Sequence, residues 1–65
     1  MNVGEKINQL RKEKNLTMLE LSKKSGISAE TLCNWKNGHT KPQGAKLKKV
    51  ADALECDLKE LYDLL

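Results

Sequence analysis

Apolar residues recur along the chain at helical spacing, in short stretches that each begin after a capping residue. Asn2 precedes apolar positions at Val3 and Ile7, and Glu5 follows Asn2 by three residues, as a capping box requires. This pattern predicts a first helix that runs to about Lys14.

A second, shorter helix follows. Thr17 and Glu20 form a T-x-x-E capping box, and Leu16 and Leu21 stand at the spacing of a hydrophobic staple. We expect this helix to end just before Gly26, because glycine readily adopts the left-handed conformation that a tight turn needs.

The third helix begins at Ser28, with Ile27 and Leu32 again at staple spacing. It is expected to reach about Asn37 and to be stopped by Gly38. Two short helices joined by a brief turn containing glycine form the unit that presents its second helix to a DNA major groove. The same spacing also fits a plain helical hairpin in a small bundle.

A fourth helix is predicted after the loop 39–42, where Pro42 bars a continuous helix. Its start near Gln43 or Gly44 carries only a weak signal. Its apolar stripe is formed by Leu47, Val50, Ala51 and Leu54.

A fifth helix is predicted to begin at Asp57, which forms a further capping box with Glu60. Cys56 and Leu61 stand at staple spacing. The apolar face of this helix is formed by Leu58, Leu61 and Leu65.

Five short helices without a strand, a repeat or a linker predict an all-α fold, with residues 1–65 as a single domain. A chain of 65 residues buries only about 60% of its unfolded surface, which argues against a deep active-site cavity. His39 is the only imidazole and has no nucleophile at a catalytic spacing, so we expect neither an enzyme nor a cofactor. No apolar run exceeds two residues, which excludes a membrane span within this sequence and predicts a cytoplasmic location.

Charge is unevenly distributed along the chain. Residues 1–50 carry a balance of +7 and residues 51–65 a balance of −4, within a net charge of +3. A positive body favours phosphates, because neutralising them releases condensed counterions. Lysine-rich helices are also simply well solvated, and charge alone does not separate the two interpretations.

Cys33 and Cys56 are interpreted as reduced thiols. Small secreted domains usually need several disulfides, and two cysteines with one histidine lack the spacing of a zinc site. A disulfide or a shared metal site remains the minor alternative.

Short motifs along most of the chain have the spacing of a known protein family. They are Val3-Gly4-Glu5-Lys6-Ile7, Leu10-Arg11, Leu16-Thr17, Leu21-Ser22, Gly26-Ile27-Ser28, Leu32, Trp35, Asn37-Gly38, Lys41-Pro42, Leu47 and Ala51-Asp52-Ala53-Leu54. In this arrangement the chain resembles the lambda-repressor/Cro-type helix-turn-helix regulators. The resemblance implies a compact five-helix domain that binds double-stranded DNA, commonly as a dimer on a palindromic operator. It also implies that the protein regulates transcription, and repression is favoured over activation.

The resemblance places base reading on the third helix, at Ala29, Glu30, Cys33 and Asn34, with Ser28 at the head of the same face. Asn34 is the strongest candidate, because its amide can both donate to and accept from adenine. For Glu30 a contact with cytosine and a simple favourable charge at the helix start remain equally open. Ala29 offers only an apolar contact, and solvent exposure is the plain alternative for Asn34.

Leu32 and Trp35 share the opposite face of the third helix, so Trp35 is expected in the core rather than stacked on a base.

Contacts with the DNA backbone are expected on either side of this helix. The candidates are Thr17 and Met18 at the start of the second helix, and Asn37, Thr40 and Lys41 after the third. Positive charge is added by Arg11 and Lys36, while the lysines at 6, 12, 46, 48 and 49 are interpreted as solvated unless the fold places them beside the groove.

Four positions depart from the family pattern. Met18 stands where glutamine is usual and Leu19 where a charged residue is common, and together they predict a small exposed apolar patch. Lys36 replaces a frequent glutamate that pairs with the residue at Arg11, which predicts repulsion unless a phosphate or Glu13 intervenes. Gly44 replaces an apolar residue and is expected to soften the start of the fourth helix.

The alternative function is a helix-turn-helix scaffold for protein contacts, such as an antitoxin-like subunit or an anti-regulator. Neither a membrane nor a small-molecule ligand is indicated as a partner. Leu58, Tyr62 and Leu65 are candidates for a homodimer interface, and they serve equally well to close the core of the monomer.

Overall fold

The computed structural model describes residues 2–64, which form helices and loops without a strand. The helices are α1 (Val3–Glu13), α2 (Met18–Ser25), α3 (Ala29–Lys36), α4 (Gly44–Leu54) and α5 (Leu58–Tyr62). The predicted helices and the all-α fold are thereby confirmed. Leu65, assigned above to the apolar face of the fifth helix, lies outside the described residues.

The amino ends of the first three helices are capped by the residues that the sequence indicated. Asn2 Oδ1 accepts the Glu5 amide at 2.8 Å, and Thr17 Oγ1 accepts the Glu20 amide at 3.1 Å. The Thr17 amide donates in return to the Glu20 carboxylate at 2.8 Å, which completes the capping box. These local bonds explain why α1 and α2 begin where they do.

The predicted capping box at the start of α5 is wrong. Asp57 Oδ1 accepts the amide of Lys59, at 3.1 Å, and not that of Glu60. The Glu60 amide bonds the Asp57 carbonyl oxygen at 3.0 Å instead, because this short helix opens with a tighter turn.

Three helices end in a Schellman motif, in which two amides beyond the helix bond carbonyl oxygens of its last turn. The residue in the left-handed conformation is Asn15 after α1 (φ 58°), Gly38 after α3 (φ 78°) and Glu55 after α4 (φ 56°). At the end of α1, the Leu16 amide donates to the Arg11 carbonyl oxygen and the Asn15 amide to that of Lys12, both at 3.0 Å. The chain therefore leaves the helical path after each of these residues.

The core lies between all five helices. It contains Val3, Ile7, Leu21, Ile27, Leu32, Trp35, Leu47, Val50, Ala51, Leu54 and Leu61. Trp35 is 3% exposed, which confirms its assignment to the core. The third helix packs against α1 and α2, and Glu30 and Cys33 on its outer side are exposed.

Two glycines permit close approaches between helices. A Cβ at Gly4 would overlap the backbone carbonyl of Trp35, so glycine lets α1 lie directly on the end of α3. A Cβ at Gly44 would overlap the Tyr62 hydroxyl. Gly44 therefore makes room for Tyr62, a role that the expected softening of the helix start did not include.

Candidate nucleic-acid interface

The turn between α2 and α3 is held by side-chain and backbone hydrogen bonds. Gly26 adopts the left-handed conformation (φ 75°), and its amide bonds the Ser22 carbonyl oxygen at 2.9 Å. Ser25 is buried, and its hydroxyl accepts the Ile27 amide at 3.2 Å. Ile27 itself is buried in the core. The turn thus fixes α3 relative to α2, and Ser25 contributes a bond that the sequence did not suggest.

The third helix has one buried face and one open face. Leu32 and Trp35 are each 3% exposed and anchor the helix from behind. Glu30, Cys33 and Asn37 are exposed on the opposite side. These three residues form an open ridge, in which Glu30 and Cys33 are predicted base readers and Asn37 is a predicted contact with the DNA backbone. Ala29 and Asn34 are half-buried at its edges.

The candidate base readers differ in how far their polar groups are already engaged. The Ser28 hydroxyl is used locally: it accepts the Thr31 amide at 3.1 Å and donates to Thr31 Oγ1 at 2.8 Å. Asn37 Nδ2 donates to Cys33 Sγ at 3.5 Å. Within residues 2–64, the side-chain amide of Asn34 forms no hydrogen bond, so both its donor and its acceptor remain free for a ligand.

The amino end of α2 combines a satisfied cap with a negative charge. Hydrogen bonds from the backbone and the hydroxyl of Thr17 lower the pKa of the Glu20 carboxyl. Met18 is half-buried and packs against the core, whereas Leu19 is 59% exposed. The predicted Met18–Leu19 patch is therefore wrong for Met18, because its long side chain reaches inward, and the exposed part consists of Leu19.

The loop after α3 exposes two polar residues and ends at a buried proline. Thr40 and Lys41 are exposed, and Pro42, which follows them, is buried. An open groove of about 260 Å³ lies between this loop, α3 and the start of α4. It is lined by Thr31, Asn34, Trp35, Thr40, Lys41, Gln43 and Lys46. Asn34, a predicted base reader, and two predicted backbone-binding residues thus meet in one groove.

Thr31, Gln43 and Lys46 line this groove without having been identified from the sequence. From the sequence alone, Lys46, together with Lys48 and Lys49, is interpreted as a solvated lysine unless the fold places it beside the DNA groove. In the structure Lys48 Nζ pairs with Asp52 Oδ2 at 3.2 Å on an exposed surface, while Lys46 faces the groove. The sequence offered no signal to separate these lysines, because the distinction depends on where α4 meets the loop.

Arg11 bonds neither Glu13 nor any other carboxylate in the described part of the chain. Its Nη1 donates to the Leu16 carbonyl oxygen at 2.6 Å, and its Nη2 and Nε donate to Asn8 Oδ1 at 2.8 and 3.3 Å. The expected offset of Lys36 by a pair between Arg11 and Glu13 is therefore wrong, and an offset by a phosphate stays a prediction. The guanidinium is satisfied by neutral oxygen acceptors on its own side of the molecule.

The acidic residues of the last part of the chain lie on elements other than α3. The carboxylates concerned are Asp52, Glu55, Asp57, Glu60 and Asp63, all exposed. They lie on α4 or beyond it, and α5 packs against α4 and α1 rather than against α3. The acidic part of the sequence thus lies on α4, on α5 and in the residues beside them, and α5 does not number α3 among its main packing partners.

Both cysteines are free thiols. Cys33 is exposed on α3, and Cys56 is half-buried. Burial, together with the charges of Glu60 and Asp57, raises the pKa of the Cys56 thiol. Within residues 2–64, no group of three His, Cys, Asp or Glu side chains is arranged to hold a metal ion, and no helix is long and apolar enough to cross a membrane.

Comparisons with known proteins agree with this geometry. A family model described as helix-turn-helix matches residues 7–61. The chain is 39% identical over 62 residues to the HTH-type transcriptional regulator SlrR of Bacillus subtilis (strain 168), in a match that covers 94% of this chain and 41% of that protein. The chain thus spans less than half the length of this relative. No solved structure matches the chain. The chain belongs to the helix-turn-helix family, of the lambda-repressor/Cro-like kind.

Proposed function

We propose that this protein binds double-stranded DNA with α3 in the major groove and regulates transcription. The observation that carries the proposal is the open ridge of α3. Buried Leu32 and Trp35 anchor this helix on its other face, and a hydrogen-bonded turn fixes it relative to α2. An α-helix fits the major groove of B-DNA, and its amino-terminal turns then face the base edges. Membership of the helix-turn-helix family and the name of the relative support the same function.

In this proposal bases are read from Ala29, Glu30, Cys33 and Asn34, with Ser28 at the head of the helix. Asn34 has the leading part, because its unpaired side-chain amide can form two hydrogen bonds with adenine. Ser28 has a smaller part, since its hydroxyl already caps α3.

The DNA backbone is held on both sides of α3. On one side are Thr17 and Met18, at the start of α2, where helix amides favour a phosphate oxygen. On the other side are Asn37, Thr40 and Lys41 in the loop that buried Pro42 pins. Lys46 joins this second group, because it lines the same open groove of the protein as Lys41 and Asn34. Such contacts position the protein, while the base contacts specify the sequence.

One copy is expected to cover one half-site. The longest dimension of the described chain is 24 Å. Two copies on a palindromic operator would lie about 34 Å apart, one turn of B-DNA. Leu58 packs against the core of its own chain, so Tyr62, which is 45% exposed, is the described apolar residue of α5 left for a homodimer contact. Sedimentation with and without DNA tests for this dimer.

The first experiment is a salt titration of binding to random duplex DNA. Contacts from several lysines predict that affinity falls steeply as salt rises, because bound counterions are released. A flat response, or no binding at low salt, would favour the alternative of a scaffold for protein contacts. The exposed Leu19 is the feature that suits that alternative.

Two substitutions separate base reading from backbone binding once an operator has been selected from a random DNA pool. Asn34→Ala is expected to lower the preference for operator over random duplex by about 1–3 kcal/mol. Lys41→Ala is expected to weaken both complexes alike and to reduce the salt slope by about one unit. Lys46→Ala should behave as Lys41→Ala does, whereas Lys48→Ala is the matched control, because Lys48 is paired with Asp52.

The two cysteines provide an independent footprint of the interface. Operator DNA is expected to slow alkylation of Cys33, which lies on the open face of α3, and to leave that of Cys56 unchanged. Mass spectrometry of the alkylated chain reports both rates in one sample. Equal rates at Cys33 with and without bound DNA would place the duplex elsewhere on the molecule.

A further inference from the structure

Arg11 and Leu16 are joined by two hydrogen bonds at the corner between α1 and α2. The Leu16 amide donates to the Arg11 carbonyl oxygen at 3.0 Å, and Arg11 Nη1 donates back to the Leu16 carbonyl oxygen at 2.6 Å. One residue of α1 therefore holds both backbone polar groups of Leu16. The charge on the guanidinium makes the second bond stronger than one between neutral groups.

Asn8 aims the guanidinium at this corner. Its Oδ1 accepts from Nη2 and Nε of Arg11, at 2.8 and 3.3 Å. Two bonds from one planar group to one acceptor restrict its rotation. Both side chains are half-buried, so the bonds are partly shielded from water.

The corner leads directly into the amino end of α2. Leu16 packs against the core and precedes Thr17, the capping residue. The capping box uses the amides of Thr17 and Glu20, and those of Met18 and Leu19 have no hydrogen-bond acceptor among residues 2–64. Free amides in the first turn of a helix are the groups that can hold a phosphate oxygen.

We propose that Arg11, aimed by Asn8, is a positioning residue for DNA binding. It sets the direction of the amino end of α2, so that the amides of Met18 and Leu19 meet the DNA backbone. This role rests on the proposed function above. In this role Arg11 acts through its hydrogen bonds to Leu16 and Asn8, and its positive charge contacts no phosphate.

The decisive variant is Asn8→Ala, which releases the guanidinium without changing the charge of the protein. The net worth of one hydrogen bond predicts about two- to tenfold weaker binding to random duplex, with the salt slope unchanged. In amide NMR spectra, the shifts that duplex induces at Met18 and Leu19 should shrink, while those at Thr40 and Lys41 persist. Gln9→Ala is the matched control, because the side chain of Gln9, on the same helix, bonds the exposed Glu13 carboxylate and not Arg11 or Leu16. Affinities are measured by fluorescence anisotropy where unfolding curves show each variant to be folded.

Two variants of Arg11 separate its geometry from its charge. Arg11→Lys keeps the charge but lacks the planar fork, so it is expected to bind as weakly as Asn8→Ala. If Arg11→Lys binds like the wild type while Arg11→Met loses affinity and about one unit of salt slope, the charge contacts phosphate and the positioning role is wrong. An Asn8→Ala variant that matches Gln9→Ala in affinity and in the NMR shifts would also overturn the positioning role. If the wild type binds no duplex, the proposed function fails and this role with it, which the wild-type titration alone reveals.

Discussion

Gly4→Ala is expected to destabilise the domain although it replaces a glycine inside a helix. A Cβ at this position would overlap the Trp35 carbonyl group and lie 2.8 Å from the Lys36 amide nitrogen. These atoms belong to the backbone of α3. No side-chain rotation relieves the overlap, and α1 and α3 have to move apart.

The net effect of Gly4→Ala follows from two opposing contributions. Helix propensity favours alanine over glycine by up to about 1 kcal/mol. Overpacking a well-packed contact costs about 1–3 kcal/mol, and a backbone obstacle places this site toward the upper end of that range. We therefore expect the free energy of unfolding to fall by about 1–2 kcal/mol, with about 4–8 °C of Tm lost for each kcal/mol in a domain of this size.

The same substitution is expected to disturb the loop after α3, where we propose contacts with the DNA backbone. The Trp35 carbonyl oxygen accepts the Gly38 amide at 3.2 Å, so a displacement of Trp35 disturbs the turn that begins the loop. Binding to random duplex should weaken in the variant, even at temperatures where its unfolding curve shows it to be folded.

Gly44→Ala is the matched control for Gly4→Ala. Its Cβ would meet the Tyr62 hydroxyl, at the tip of a side chain that is 45% exposed and free to swing into solvent. Its stability should lie within about 0.5 kcal/mol of the wild type, since the overlap is relieved cheaply while helix propensity improves. Urea unfolding followed by circular dichroism measures both variants. A Gly4→Ala variant as stable as the wild type, or an equal loss in Gly44→Ala, would refute the reasoning.

Three further predictions concern capping, backbone strain and thiol reactivity. Because the pKa of Glu20 is lowered, its bond to the Thr17 amide stabilises the fold above the ordinary glutamate pKa, and this stabilisation is lost as pH falls through the lowered pKa. Glu20→Gln should therefore flatten that acidic part of a curve of stability against pH. An unchanged curve at acidic pH would contradict this. Glu55→Gly should raise the free energy of unfolding by about 0.5–1 kcal/mol, because glycine accepts the left-handed conformation without strain. Asn15→Gly should gain less, since asparagine tolerates that conformation, and equal gains in urea unfolding would count against the explanation. Without DNA, Cys33 should be alkylated faster than Cys56, whose burial raises its pKa; the reverse order by mass spectrometry would show that Cys56 is more accessible than the structure indicates.

Much of the fold was predictable because helix ends are decided locally. A cap such as Thr17 bonds an amide three residues away, so its partner is visible in the sequence. The spacing of Leu32 and Trp35 placed one face of α3 in the core for the same reason, and the opposite face then became the candidate site. The error at Asp57 was also local, a bond to the amide of Lys59 where Glu60 had been expected.

What the tertiary structure decided involves residues that are far apart in the sequence. Gly4 beneath Trp35 and Gly44 beneath Tyr62 depend on how closely two helices approach. The position of Lys46 in the groove depends on the angle at which α4 leaves the loop.

Arg11 is a single side chain whose hydrogen-bond partners the sequence did not reveal. The sequence predicted a need for a charged partner, and the fold supplied the Leu16 carbonyl oxygen at the turn after α1. Hydrophobic periodicity states which face of a helix is buried, but not the distance or rotation at which that face meets its neighbour. The sequence by itself therefore determined the helices, the core and the open ridge of α3, and only their packing determined which polar residues stand beside that ridge.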